Sequence, residues 1–175
     1  DPDPGFARAL TPRPFVFPAD HAAHPEYATE WWYFTGNLQS LSGERFGYQL
    51  TLFRIGLKPG PAAGDSAWRS HQLYMGHLAL SDIERQQHLS AERFSRAAAG
   101  LAGAQADPLR IWLGPWSISG STGETFPLTL SASSEAIAID LNLRSGGKPL
   151  VLQGDRGLSQ KSAAPGNASY YYSYT

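Results

Sequence analysis

The sequence predicts an all-β, antiparallel domain, and three observations support this prediction. Glycine (18 residues) and proline (13 residues) separate short runs that are rich in aliphatic, aromatic and threonine side chains. Apolar and polar residues alternate within these runs, as in strands that bury one face. The runs follow one another at short spacing, which is typical of an antiparallel barrel or sandwich. At 175 residues, the chain is long enough for one domain with a full hydrophobic core.

The elements are predicted in chain order. Residues 1–18 are polar and Pro-rich, and we expect an extended leader, left after removal of a signal peptide, with the β domain spanning 19–175. Eight strands are predicted: Trp31–Gln39, Arg45–Ile55, Gln72–Asp82, Arg110–Ser119, Glu124–Ala132, Ala136–Arg144, Pro149–Gln153 and Ala168–Tyr174. The segment Ser90–Ala104 is predicted to be helical, because Ser90 is a suitable N-cap and Glu92 lies in the first turn.

Composition excludes several classes of function. The 14 basic and 15 acidic side chains nearly balance, which argues against a nucleic-acid-binding protein, whose affinity needs a basic surface. The absence of cysteine excludes disulfides, a thiolate nucleophile and thiolate metal sites. No apolar run reaches the ~18 residues of a membrane-spanning helix. We expect no cofactor.

Phe17–Leu38 holds an unusual density of chemically capable side chains. Its candidates are Asp20, His21, His24, Glu30, Trp31, Trp32 and Tyr33. The spacing of His21 and His24 matches no common zinc pattern, and Pro25 interrupts the segment, so we expect no metal site.

General acid catalysis is a second interpretation of this segment. Glu30 lies beside Trp31 and Trp32, where desolvation would raise its pKa and let it donate a proton to a C=C bond. Asp20 next to His21 offers a carboxylate–imidazole pair. The alternative is that Glu30 forms an ion pair with an arginine and only braces the structure. The possible partners are Arg54, Arg93 and Arg96.

Polar side chains also occur among apolar neighbours on the predicted strands. His77 and Gln49 could place water or bind a ligand, or they could be hydrogen-bonded core residues. Tyr171 lies in a run of tyrosines whose rings must face both sides of a strand. The predicted ligand-binding residues are therefore His21, His24, Trp31, Trp32, Tyr33, Gln49 and Tyr171, and the predicted catalytic residues are Glu30, Asp20 and His77.

Several motifs together resemble a known family. FPADHAAHPEYATEWWYFTGNL, FGYQLTLFR, LYMGHLALSD and PLVLQGDRGLSQKS are similar to the AttH-type proteins and carotenoid 1,2-hydratases, which include hydroxyneurosporene synthase and kievitone hydratase. The resemblance runs from about Phe15 to the end of the chain. It implies two successive lipocalin-like β-barrels with a ligand site near their interface, of which this chain is the first. It also implies an extracytoplasmic location, periplasmic or secreted.

Two functions remain open. The first is a carotenoid 1,2-hydratase-like lyase, or an isomerase or cyclase, acting on an apolar polyene or terpenoid, with Glu30 or Asp20 as the proton donor. The second is a non-catalytic carrier of lipophilic molecules that serves an envelope transporter. The expected partners are an apolar small molecule, the C-terminal barrel domain and, for the carrier, that transporter.

Overall fold

The computed structural model describes residues 5–60 and 70–174. The regular secondary structure of these residues consists of strands and one short 3₁₀ helix, Ala19–His21. The strands are β1 (Thr29–Gln39), β2 (Arg45–Gly56), β3 (Gln72–Asp82), β4 (Gln87–Arg96), β5 (Ala102–Gln105), β6 (Arg110–Leu113), β7 (Trp116–Gly120), β8 (Leu128–Ser133), β9 (Ala138–Leu143), β10 (Val151–Leu152), β11 (Leu158–Gln160), β12 (Ala168–Tyr170) and β13 (Tyr172–Ser173). The predicted leader, 1–18, is described only from residue 5 onward.

Strands β1 to β4 form an antiparallel sheet in which each strand pairs with the next along the chain. Alternation decides which side chains enter the core: Tyr48, Leu50, Leu52 and Arg54 of β2 are buried on one face. In the register of this sheet, Arg54 lies between Glu30 of β1 and Tyr74 of β3. The sheet therefore places a buried cation opposite a carboxylate.

Strands β5 to β9 form a second antiparallel sheet, and β6 lies against β3 and β4 of the first. The core fills the space between the sheets. Ile111, Leu113, Ile118 and Leu130 are fully buried on the side of the second sheet. The Trp116 ring is also buried, and its indole N–H donates to the Ser133 carbonyl at 2.7 Å. This pairing satisfies the only polar atom of the largest core side chain.

The all-β, antiparallel prediction is confirmed. Within the described residues, hydrogen bonding is divided between two main sheets and two short pairs, β10 with β13 and β11 with β12. Predicted strand Arg110–Ser119 is a hairpin, β6 and β7, which turns at Gly114 with a positive φ of 58°. Among residues 5–60 and 70–174, no helix is long and apolar enough to cross a membrane.

The helical prediction for Ser90–Ala104 is wrong. Ser90 lies inside β4, and the segment ends in β5 after a turn at Ala98–Gly100. Alanine, glutamate and arginine favour helices locally, but pairing of Glu92 with His77 and of Phe94 with Met75 places the segment in the sheet. Tertiary pairing therefore overrides a weak local preference.

Candidate functional site

A cavity of about 660 Å³ lies between β1, the chain segment before it and the C-terminal strands. The second sheet closes one side with apolar residues, including Ile118, Leu128 and Leu143. Many of the aromatic rings in the lining come from two segments that are distant in the sequence. These rings are Trp31, Trp32 and Tyr33 from β1, and Tyr170, Tyr171, Tyr172 and Tyr174 from the C-terminal strands. A cavity of this size, mostly apolar with a few polar groups, is typical of a small-molecule site.

Eight of the ten predicted site residues line this cavity. They are Asp20, His21, His24, Glu30, Trp31, Trp32, Tyr33 and Tyr171. The other two lie on the face of the first sheet that points away from the core. There His77 stacks edge-on with Phe53, 5.6 Å between ring centres, and lies 3.7 Å from Glu92. Gln49 Nε2 donates to Thr51 Oγ1, at 3.4 Å on the same face. Neither side chain lines the cavity, although Trp31 and Tyr33 of β1, on the same face, do.

Glu30 is held in an ion pair with Arg54. The Arg54 Nε donates to Glu30 Oε2 at 2.9 Å, and the guanidinium is completely buried. Arg54 Nη2 also donates to the carbonyls of His24 and Tyr27, both at 2.8 Å. One arginine thus binds a carboxylate and holds the chain segment that leads into β1. This is the bracing arrangement, with Arg54 as the partner.

His24 bridges the two carboxylates of the segment. Its Nδ1 lies 2.6 Å from Glu30 Oε1, and its Nε2 lies 3.1 Å from Asp20 Oδ1. The backbone N–H of His24 also donates to Glu30 at 2.9 Å. Each ring nitrogen faces a carboxylate oxygen, an arrangement that favours the imidazolium form. The hydrogen bond to Glu30 raises the pKa of His24, against the smaller opposing effect of burial.

Arg13 completes the network at its other end. Its guanidinium donates to Asp20 Oδ1, and the Val16 N–H donates to Asp20 Oδ2. The five charged groups therefore alternate in sign from Arg13 through Asp20, His24 and Glu30 to Arg54. We call this set the charge chain.

Both carboxylates of the charge chain stay ionised. Burial alone would raise the pKa of Glu30, but hydrogen bonds from His24 and Arg54 lower it below its usual value. For Asp20, burial again acts upward, and the bonds from Arg13 and Val16 bring its pKa below the usual value. Near neutral pH, these groups accept hydrogen bonds and hold no proton to donate.

His21 lies in a different environment from His24. Its ring is buried against Phe17, 4.8 Å between ring centres, and burial lowers its pKa to about 4. Its Nδ1 lies 2.7 Å from the Tyr172 hydroxyl, and its Nε2 lies 3.3 Å from the Thr125 hydroxyl. The pKa values of the two histidines of the motif are therefore shifted in opposite directions. In the described part of the chain, no group of three or more His, Asp or Glu side chains is arranged to hold a metal ion.

The tryptophans of β1 have separate tasks. Trp32 faces the core, and its indole N–H donates to the His21 carbonyl at 2.8 Å, which fixes the 3₁₀ helix against β1. Trp31 meets Tyr171 edge-on at 5.9 Å, and the Lys161 ammonium lies 5.4 Å from the Tyr171 ring centre. Trp31 and Tyr171 therefore link β1 to the C-terminal strands.

Three residues of the cavity and its hydrogen-bond network were not singled out from the sequence. Arg13 lies in the Pro-rich leader, Thr125 in a loop, and Tyr172 is 151 positions from its partner His21. No local pattern marks Arg13 or Thr125. The alternation in the tyrosine run requires rings on both sides of the strand, so it cannot decide whether Tyr171 or Tyr172 belongs to the site.

Comparison with known proteins identifies the family. The model of the AttH-like family matches residues 8–175. The structure also resembles the crystal structure of a candidate AttH from Nitrosomonas europaea, with 29% identity and a TM-score of 0.78. The match covers 95% of this chain and 48% of that one, so the chain spans about half the length of that relative. No curated protein matches the chain. The predicted resemblance is confirmed: the chain belongs to the AttH-like family and forms a lipocalin-like β domain.

Proposed function

We propose that this domain binds an elongated apolar ligand, of the polyene or terpenoid kind, in the cavity beside β1. The carrying observation is the cavity itself, about 660 Å³ and lined largely by aromatic rings. It follows β1 from Thr29 to Thr35, which corresponds to roughly 20 Å of extended chain. Rings on both sides of such a cavity suit a long conjugated molecule.

The charge chain supports ligand binding without acid catalysis. A proton donor for a C=C bond must carry a proton near neutral pH. Glu30 and Asp20 line the cavity, but hydrogen bonds from cations hold both as carboxylates. The first function that we propose is therefore a non-catalytic carrier. An extracytoplasmic location and an envelope transporter as partner belong to this proposal, and cell fractionation and co-purification test them.

Acid-catalysed hydration, isomerisation or cyclisation is the second candidate. The observation that favours it is that His24, whose pKa is raised, lines the cavity and that its contact from Nε2 to Asp20 Oδ1 is the longer of its two, 3.1 Å, and is the one that a substrate would have to replace. In this version His24 supplies the proton and Glu30 shifts its pKa. Incubation of a bound polyene with the protein in D₂O, followed by mass spectrometry, tests it. Deuterium should enter the product, and His24→Gln should abolish the incorporation. If the polyene is recovered unchanged and without deuterium, the catalytic candidate is refuted and the carrier function remains.

Two experiments test ligand binding. Mass spectrometry of solvent extracts from the purified protein should show a lipophilic compound in stoichiometric amount. Titration with diphenylhexatriene, which fluoresces in apolar surroundings, should show saturable binding. Ala168→Trp places a large ring at the cavity wall and should weaken this binding at least tenfold. The matched control, Ala138→Trp, lies exposed on β9 outside the cavity and should bind as the unmodified protein does. Equal binding by both variants would place the ligand elsewhere.

A further inference from the structure

The cavity lining includes a polar cluster formed by His21, Thr125 and Tyr172. The direction of its hydrogen bonds follows from the contacts. The Tyr172 hydroxyl donates to the Asp20 carbonyl at 2.9 Å, which uses its only proton. The 2.7 Å contact between Tyr172 and His21 Nδ1 must therefore be donated by the histidine. His21 is then the tautomer with a proton on Nδ1 and a lone pair on Nε2.

The Nε2 lone pair is only weakly engaged. Its contact with the Thr125 hydroxyl is 3.3 Å, longer than a good hydrogen bond between these atom types. Burial keeps the ring neutral, because it lowers the pKa of His21 to about 4. A buried acceptor with a poor partner favours any donor that a ligand can bring to it.

The carboxylates and the imidazole of the charge chain do not compete for this role. Asp20, His24 and Glu30 are bonded to one another and to their arginines in the charge chain. A neutral imidazole that presents a lone pair has no proton to offer an anion at that atom. The cluster therefore discriminates in favour of a neutral donor over a carboxylate.

We propose that the ligand of this cavity is an apolar alcohol or phenol, whose hydroxyl donates to His21 Nε2 while its apolar body lies along β1. This assignment rests on the proposed binding function and specifies its ligand class. Tyr172 acts as a positioning residue, because its hydroxyl fixes the tautomer of His21. Thr125 contacts this lone pair and gives way to the ligand.

Retinol and retinyl methyl ether provide a matched pair of probes, because they share the polyene and the ether carries a methyl group in place of the hydroxyl proton. Quenching of the fluorescence of Trp31 and Trp32 in the cavity wall reports binding of both. We expect retinol to bind about fivefold more tightly, the value of one net hydrogen bond. Equal affinities would overturn the hydroxyl assignment and leave the binding function intact. Tighter binding of retinoic acid than of retinol would also overturn it, and failure of all three to bind would refute both.

Variants locate the acceptor. His21→Phe keeps an aromatic ring and should reduce the ratio of the two affinities to about one. Thr125→Val removes only the competing hydroxyl and should keep the preference for retinol. The control His88→Phe changes an exposed histidine outside the cavity and should behave as the unmodified protein. A preference that survives in His21→Phe, or disappears in Thr125→Val, would contradict the assignment. The comparison of the two ligands on the unmodified protein decides the question if His21→Phe fails to fold.

Discussion

Replacing Arg54 by methionine tests the structural role of the charge chain most directly. The guanidinium is completely buried and donates to Glu30 and to two backbone carbonyls, while methionine fills a similar volume with no donor. Removing one partner of a buried ion pair costs about 3–5 kcal/mol, because the remaining charge stays buried. His24 keeps its own bonds to Glu30 in the variant, which places the expected cost near the lower end.

We therefore expect Arg54→Met to reduce the free energy of unfolding by about 3 kcal/mol. For a chain of this size, that loss lowers the Tm by roughly 10 °C. Urea unfolding followed by tryptophan fluorescence measures the free energy, and calorimetry measures the Tm.

Arg45→Met is the matched control, because Arg45 forms an exposed ion pair with Glu84 at 3.1 Å. Its side chain is 64% exposed, and exposed pairs contribute about 0–1 kcal/mol. A cost for Arg54→Met no larger than that of Arg45→Met would refute the reasoning. The double variant Glu30→Gln, Arg54→Met should lose less stability than the sum of the single variants, since the two side chains share one interaction.

Three further predictions concern the two histidines and the core. The pKa of His24 is raised above its reference value of 6.5, so its stabilisation is complete below about pH 6.5 and disappears as pH rises through the raised pKa; His24→Gln should flatten the stability profile in that range. The pKa of His21 is lowered to about 4, so its contribution is present above pH 6.5 and disappears as pH falls toward 4; NMR titration of the ring protons should show the two histidines on opposite sides of pH 6.5, and two overlapping curves would contradict both assignments. In the core, a Cβ at Gly76 would lie 2.8 Å from the Trp116 ring, so Gly76→Ala should cost about 1–3 kcal/mol in urea unfolding. A Cβ at Gly146 would lie within 4 Å of no other atom, so the control Gly146→Ala should leave the free energy of unfolding unchanged. A similar loss in both variants would contradict the packing argument.

The alternation of side chains made much of the fold predictable. Within the predicted strand Arg45–Ile55, a period of two assigns Leu50, Leu52 and Arg54 to one face and Gln49 to the other, which is the arrangement in the structure. The same alternation did not reveal how far the cavity extends from β1, whose residues line it on both faces. Both faces carry apolar residues near β1, so Gln49 and His77 could not be separated from the site by sequence alone.

The charge states of the site could not be predicted from the motif. The neighbours of Glu30 in the sequence are tryptophans, which suggested a raised pKa, whereas its neighbours in space are Arg54 and His24, which lower it. Arg54 is 24 positions away and becomes a partner only through the register of β1 and β2. The partners of His21 arise from still longer separations. Long-range pairing therefore decides the electrostatics of this cavity.

The 152 positions that separate Asp20 from Tyr172 have a consequence for folding. Contacts of such high sequence separation slow folding, because loop-closure entropy is lost before the contacts form. The cavity wall at His21 is incomplete until Tyr172 has been synthesised and has docked. A molecule captured there can engage only the finished fold, and its binding lowers the population of unfolded chains by mass action. Occupancy of the cavity would then report that the domain has completed its folding.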